Sequence, residues 1–440
     1  MIRSRPIAAA LLVAGSVTAS ASAATFVVDR FDDASPIADA CTAAAGDCSL
    51  RGAIRRANQT VDGDTVRLSA GLYTLTRTGG GEDAAATGDL DLTRPLHLLG
   101  AGPTATVITA SELVDRGFEV HATAGGSVLE GLTISSAQAT TGGGLSCVGG
   151  LLALRGVRIS ASSATIRGGG IEVLADCFVT GYGLDLASNS SSDEGGGAWV
   201  EGVLEIFRGK VRSNAALLGG GIASRGGFVH LYGVQLSANQ ALSGGAVFAG
   251  RGTATTGFLL LEDSTVAANQ ADNGAGVRVS QTGAQIRHAT FGVQLGGDQR
   301  ALMVSGTASF PAAVHLWNSI FDAPCFVLNA DAAIVSNGGN LEVETASCEL
   351  DHASDQQSVP AAQADLLPFG DHGGDTWTVA LGAASVARNA APASCTDDDQ
   401  RRARRSAAPC DAGAFEAVPG FLFADDFESG GLWFWSGFAG

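Results

Sequence analysis

The middle of the chain is built from short runs in which apolar and polar residues alternate. Val229 and Leu231 align with Leu259 and Leu261 one unit later, and with Leu204 and Ile206 one unit earlier. The intervening positions hold Glu205, His230 and Leu260. Alternation over so few residues predicts half-buried β-strands. Helical repeats do not fit, because the runs are too short, too β-branched and too often broken by Gly.

These runs sit between two recurring marks. Glycine clusters begin at Gly142, Gly168, Gly195, Gly219, Gly244 and Gly274, with successive separations of 26, 27, 24, 25 and 30 residues. Asn189, Asn214, Asn239 and Asn269 precede the later clusters by 6, 5, 5 and 5 residues, and earlier units carry Ser162 or Ala137 at the matching place. A period near 25 with three short strands describes one coil of a right-handed parallel β-helix, an all-β solenoid whose equivalent residues stack in columns. The four asparagines are then expected to hydrogen-bond along the stack, with Gly supplying tight turns and positive φ. A β-propeller needs longer repeats. A phosphate-cradling loop would occur once, between a strand and a helix. The nonapeptide calcium roll is disfavoured because its Gly-Gly-x-Gly-x-Asp pattern does not appear.

A solenoid exposes core and strand edges at its ends and needs caps. In Cys48-Ser49-Leu50-Arg51-Gly52-Ala53-Ile54-Arg55-Arg56-Ala57-Asn58, Ser49 is a plausible helix N-cap, and Leu50, Ala53, Ile54 and Ala57 share one helical face. This segment predicts a short N-terminal cap helix laid over the open core.

Composition adds the compartment. The 440 residues are 45% hydrophobic and 16% charged, with 61 Gly, which suits a large core and rules out a disordered chain. Residues 1–23 read as an export signal: Arg3 and Arg5, then an apolar run over 7–15, then Ala21-Ser22-Ala23 at the cleavage point. The run is too short for a membrane anchor, and no later stretch reaches spanning length. The formal charge of −18 argues against nucleic acid or anionic membrane as a bulk electrostatic partner. Eight cysteines in an exported chain point to disulfides, and they fall into four local pairs: Cys41 and Cys48, Cys147 and Cys177, Cys325 and Cys348, Cys395 and Cys410. Spacing alone leaves the connectivity open. Zinc is disfavoured by the lack of any C-x-x-C and of His at ligand spacing, so no metal is expected.

The block 48–58 and the strand pair over 64–75 resemble the CSLREA domain of exported bacterial proteins, with Gly52 in place of that pattern's Glu. Asn318-Ser-Ile-Phe321, the run 337–341, the run 373–376, Asp399-Gln-Arg401 and the run 410–416 are similar to the "choice-of-anchor" portion of surface β-helix proteins. The central repeats are similar to those of polymorphic outer-membrane proteins and other pectin-lyase-like β-helices, without room for a terminal membrane barrel. The aromatic tail, 423–435, resembles short tails of exported bacterial proteins, with Asp426 where Gly is usual. The resemblance implies a bacterial protein, extracellular or at the cell surface, with an irregular disulfide-bonded C-terminal cap. The chain divides into the signal (1–23), N-terminal cap (24–63), β-helix (64–322, most regular over 134–295), C-terminal coils and cap (323–418) and tail (419–440).

Fold does not dictate function. Asp371, His372 and Asp375 form the tightest acid–His grouping, but the resemblance puts them in the C-terminal cap. Asp397, Asp398 and Asp399 oppose Arg401, Arg402, Arg404 and Arg405 and read as a solvated ion-pair loop. Glu172, Asp185, Glu201, Glu205 and Glu262 do not recur in one column, and His230 and His288 read as surface histidines. The expected function is a non-catalytic exported rod that presents a face to polysaccharide or cell-surface components, without cofactor. The alternative is a polysaccharide lyase or glycoside hydrolase, in which Ca²⁺ would enter only for the lyase.

Overall fold

The computed structural model describes residues 23–33, 39–60, 63–253, 255–392 and 394–418. The expected export signal, apart from Ala23, and the aromatic tail lie outside the described residues.

The chain folds as a parallel β-helix. Three strands per coil give three long parallel sheets. The first runs through Leu90–Leu92, Phe118–Val120, Ala198–Val200, Ile222–Arg225, Val247–Gly250, Val277–Ser280, Leu302–Ser305 and Cys325–Val327. The second includes Val203–Phe207, Phe228–Tyr232, Phe258–Glu262, Gly283–Arg287 and Ala312–Trp317. The third includes Asp185–Ala187, Lys210–Arg212, Gln235–Ser237 and Thr265–Ala267. Leu145–Ser160 bends through all three, which ties them into one continuous ladder.

The registers follow the alternation. Leu204 pairs with Val229 and then Leu259, and Ile206 with Leu231 and then Leu261, all fully buried. Such columns form one apolar core from Val28 to Leu350. The cap helix, Leu50–Ala57, closes its N-terminal end, with Ser49 Oγ accepting from Gly52 N at 3.0 Å and Ile54 in the core. Arg51, on the same helix, is buried against both carboxylate oxygens of Asp33.

At the corner after the third sheet, the asparagine column is a hydrogen-bonded ladder. Asn189, Asn214 and Asn239 each donate from backbone N and from Nδ2 to the Oδ1 of the next asparagine. Ser162 begins the column by donating from its backbone N to Asn189, and Gln294 ends it by accepting from Asn269. Gly244, with φ +67°, turns the chain back toward the first sheet, and a Cβ on Gly245 would stand 2.4 Å from Ala275 O in the next coil. That close approach explains the Gly pair.

Four disulfides join Cys41 to Cys48, Cys147 to Cys177, Cys325 to Cys348 and Cys395 to Cys410. The C-terminal segment does more than close the last coil. It turns back along the outer side of the third sheet, where Trp377 N donates to Gln235 Oε1 and Ala414 N donates to Thr290 Oγ1.

This docking corrects two sequence expectations. The Asp/Arg run is not a solvated loop: Asp399 and Arg401 are buried and paired at 2.7 Å, and Arg405 is buried against Asp263 at 2.7 Å. Packing an irregular segment onto a polar sheet face places these charges out of water, so each needs a partner. His288 is likewise not on the surface. It is buried beneath the segment, with Nε2 3.2 Å from Ser394 O.

Candidate functional site

Alternation that buries Leu204, Ile206, Val229, Leu231, Leu259 and Leu261 must point their neighbours outward. On the second sheet those neighbours form two aromatic columns. Register places Tyr182 beside Phe207 and Phe207 beside Tyr232, one column, and Phe228 beside Phe258, the other. The Tyr182 and Phe207 rings stack at 5.0 Å and 17°, Phe207 and Tyr232 lie at 6.4 Å, and Phe228 and Phe258 stack at 6.4 Å and 10°. Tyr182 is 50% exposed, so the platform opens to solvent.

Between the columns stand Glu205 and His230, and the tyrosine column itself continues into Glu262 and Arg287. His230 Nε2 lies 3.0 Å from Glu262 Oε2, and its Nδ1 lies 3.8 Å from Glu205 Oε1. The Phe207 ring meets the imidazole edge-on at 5.4 Å. Arg287 Nη1 stands 3.5 Å from the other oxygen of Glu262, and Arg208 sits over Tyr232. Burial raises the Tyr232 hydroxyl to about 12, with help from the nearby Asp263, so it stays a neutral donor at ordinary pH. The stacked rings cover part of one another's faces and together offer an apolar strip bordered by hydrogen-bonding groups. That combination suits a ligand with one apolar face and a rim of hydroxyls.

The first sheet gathers a second group that sequence reasoning missed. Asp91, Glu119, Ser146 and Glu172 occupy one outward column. Asp91 and Glu119 lie in coils upstream of the regular glycine marks, where no repeat motif sets their register with Glu172. His121 Nε2 lies 3.2 Å from Asp91 Oδ1 and 3.5 Å from Glu119 Oε1, and Arg116 pairs with Glu119. One donor atom from each of Asp83, Asp91, Glu119 and His121 lies within 4.8 Å of the others, close enough to hold a single cation. Behind them Asp89 is raised to about 8 by burial and by Asp91 and Asp115.

Asp371, His372 and Asp375 do not meet in a shared arrangement. Asp371 accepts from Gly373 N, His372 lies against Pro368 O and the Phe415 ring, and Asp375 faces Arg402 at 3.6 Å. The platform residues were findable: the position after Ile206 and after Leu231 is aromatic in both coils, and Tyr182 is in register with them.

No family model matches the sequence, and no curated protein matches it. Among solved structures, the pectate lyase Pel9A matches at 14% identity and a TM-score of 0.49, covering 90% of this chain and 97% of that one. The ORF18 protein of Geobacillus virus E2 matches at 13% and 0.33, over 66% of this chain and 56% of that one. The A-module of the Azotobacter vinelandii mannuronan C-5 epimerase AlgE6 matches at 13% and 0.31, over 67% and 96%. The class of this protein, a parallel β-helix, rests on its own strand registers. Among the described residues, no helix is long and apolar enough to cross a membrane.

Proposed function

We propose that this is an exported β-helix protein that binds polysaccharide on its second sheet, as a binding or structural rod of a bacterial surface rather than as an enzyme. The observation that carries the reading is the column of Tyr182, Phe207 and Tyr232. It sets an aromatic side chain on three successive coils along a rigid axis, an apolar strip against which an extended chain of pyranose rings can lie. Glu205 and Glu262 beside it are offset by Arg208 and Arg287, so this face carries no net charge and its ligand is neutral. The disulfides and the CSLREA-like and choice-of-anchor-like segments support export and surface attachment.

Purified protein passed over immobilised neutral polysaccharides should be retained, and Tyr182→Ala/Tyr232→Ala protein should not. Retention of both alike would refute the assignment.

A second reading, a glycan-cleaving enzyme, is favoured by the convergence of Asp91, Glu119 and His121 on the first sheet. Release of unsaturated or reducing ends from a polysaccharide, abolished by Glu119→Gln, would establish it in place of the binding rod.

A further inference from the structure

Further along the first sheet, past the Asp91–Glu119 group, the outward residues change character. Trp199, Phe248, Met303 and Phe326 occupy the same column, with Ala223 and Arg278 among them. Trp199 and Phe248 are buried, although they point away from the core. Arginines cover the rings: Arg167 lies 3.9 Å over Trp199, Arg225 4.8 Å over Phe248, and Arg300 4.1 Å over Phe326. Arg251, from the loop beside the sheet, lies 3.7 Å over Phe310. The outermost layer of this face is thus made of guanidinium groups seated over aromatic rings.

Three of them have a carboxylate. Arg167 pairs with Glu172 at 2.7 Å, Arg225 with Glu194 at 2.5 Å and Arg300 with Asp298 at 3.2 Å. Arg251 and Arg278 have no carboxylate within ion-pair distance among the described residues. Arg278 donates to Ser243 Oγ at 3.0 Å, and the Nε of Arg251 and the Nε of Arg278 are buried without an acceptor. Those Nε atoms are shut off from solvent, but neither guanidinium faces a carboxylate, and a half-buried cation in that setting gains most from an anion at its remaining N–H groups. The chain as a whole carries −18, so a stripe with five arginines against three contacting carboxylates is a local reversal of sign. One coil separates the strands of Arg225 and Arg278, which sets them roughly 10 Å apart along the axis, about two pyranose rings laid end to end.

We propose that this arginine stripe is a second binding face, separate from the second-sheet platform, for an extended polysaccharide that bears carboxylate or sulfate groups. Ion pairing at Arg251 and Arg278 supplies the affinity, and the ring-stacked arginines set a rigid spacing. The inference does not depend on the neutral-glycan reading and can stand if that reading fails.

Carboxymethyl dextran, dextran sulfate and unmodified dextran share one backbone and separate the two anion chemistries from the sugar itself. The full-length protein should bind one or both charged polymers, with affinity falling steeply between low and high salt, as for any contact dominated by exposed charge. Arg251→Gln/Arg278→Gln protein should bind at least tenfold more weakly and with a shallower salt dependence. Tyr182→Ala/Tyr232→Ala protein should bind the charged polymers as the wild type does. Because Arg278 is half-buried and its replacement disturbs packing, wild-type protein is also labelled with an arginine-selective dicarbonyl. Charged dextran should protect Arg251 and Arg278, and unmodified dextran should not. No binding of either charged polymer, failure to protect these arginines, or equal affinity for duplex DNA would overturn the proposal.

Discussion

Asn214 and Asn239 are joined head to tail. The backbone N and the Nδ2 of Asn214 both donate to Oδ1 of Asn239, at 3.1 and 3.0 Å, and Nδ2 also donates to Leu186 O at 2.9 Å. Each amide therefore satisfies a neighbouring coil's backbone at a corner with no access to water. Asn239→Ala should leave the backbone N of Asn214 without a partner and remove one of the donors to the carbonyl of Val211, at a cost of about 1–3 kcal/mol. Denaturant unfolding should show that loss, with polysaccharide binding per folded molecule unchanged. Selective loss of binding at unchanged stability would move Asn239 from the scaffold to the site.

Docking of the C-terminal segment rests on Arg405, whose guanidinium bonds Asp263 and Glu416 and two backbone carbonyls, Asp411 and Gly413. Arg405→Ala strands the buried Asp263 carboxylate, and the expected loss is on the order of 3–5 kcal/mol. Limited proteolysis should then cut within residues 394–416 first, leaving the coils intact. Equal protection of that stretch in both proteins would contradict a docking role.

Two buried groups drive stability in opposite directions with pH. Burial and the Arg405 charge push His288 down to about 3, below its unfolded value of about 6.5. The unfolded chain binds the extra proton, so this contribution is present above pH 6.5 and is lost as pH falls toward 3. Asp89 is raised to about 8, above its unfolded value of about 3.9. Its contribution is present below pH 3.9 and is lost as pH rises through 8. Between pH 5 and 7 the slopes oppose, so the wild-type curve conceals both. His288→Gln should flatten the acid-side loss, and Asp89→Asn should raise stability most at pH 8. Urea midpoints across pH 5–8 for the three proteins check this, and parallel curves would contradict it.

The repeat made much of this molecule legible. Leu204, Val229 and Leu259 share an alternation that forces them into one column, and Ser49 with the Leu50, Ala53, Ile54 and Ala57 stripe marks the cap helix. Pattern failed where partners are far apart in sequence. Arg405 and Asp263 are 142 residues apart, and no local signal says that a charged run will be buried. It also failed where a column outlives its motif: Gln294 continues the asparagine ladder without being Asn. Asp91 and Glu119 join the Glu172 column from coils without a glycine cluster. The aromatic platform lay in plain view at alternate positions, but it becomes a surface only once register sets Phe207 between Tyr182 and Tyr232.

The ring column of the second sheet is expected to bind neutral polysaccharide. Calorimetric titration of soluble neutral polysaccharides into wild-type, Phe207→Ala and Tyr182→Ala/Tyr232→Ala proteins tests it most directly. Saturable binding is expected from the wild type, and at least tenfold weaker binding, about 1.4 kcal/mol, from each variant with its unfolding transition retained. Wild-type protein that binds none of them, or variants that bind as the wild type does, would contradict it.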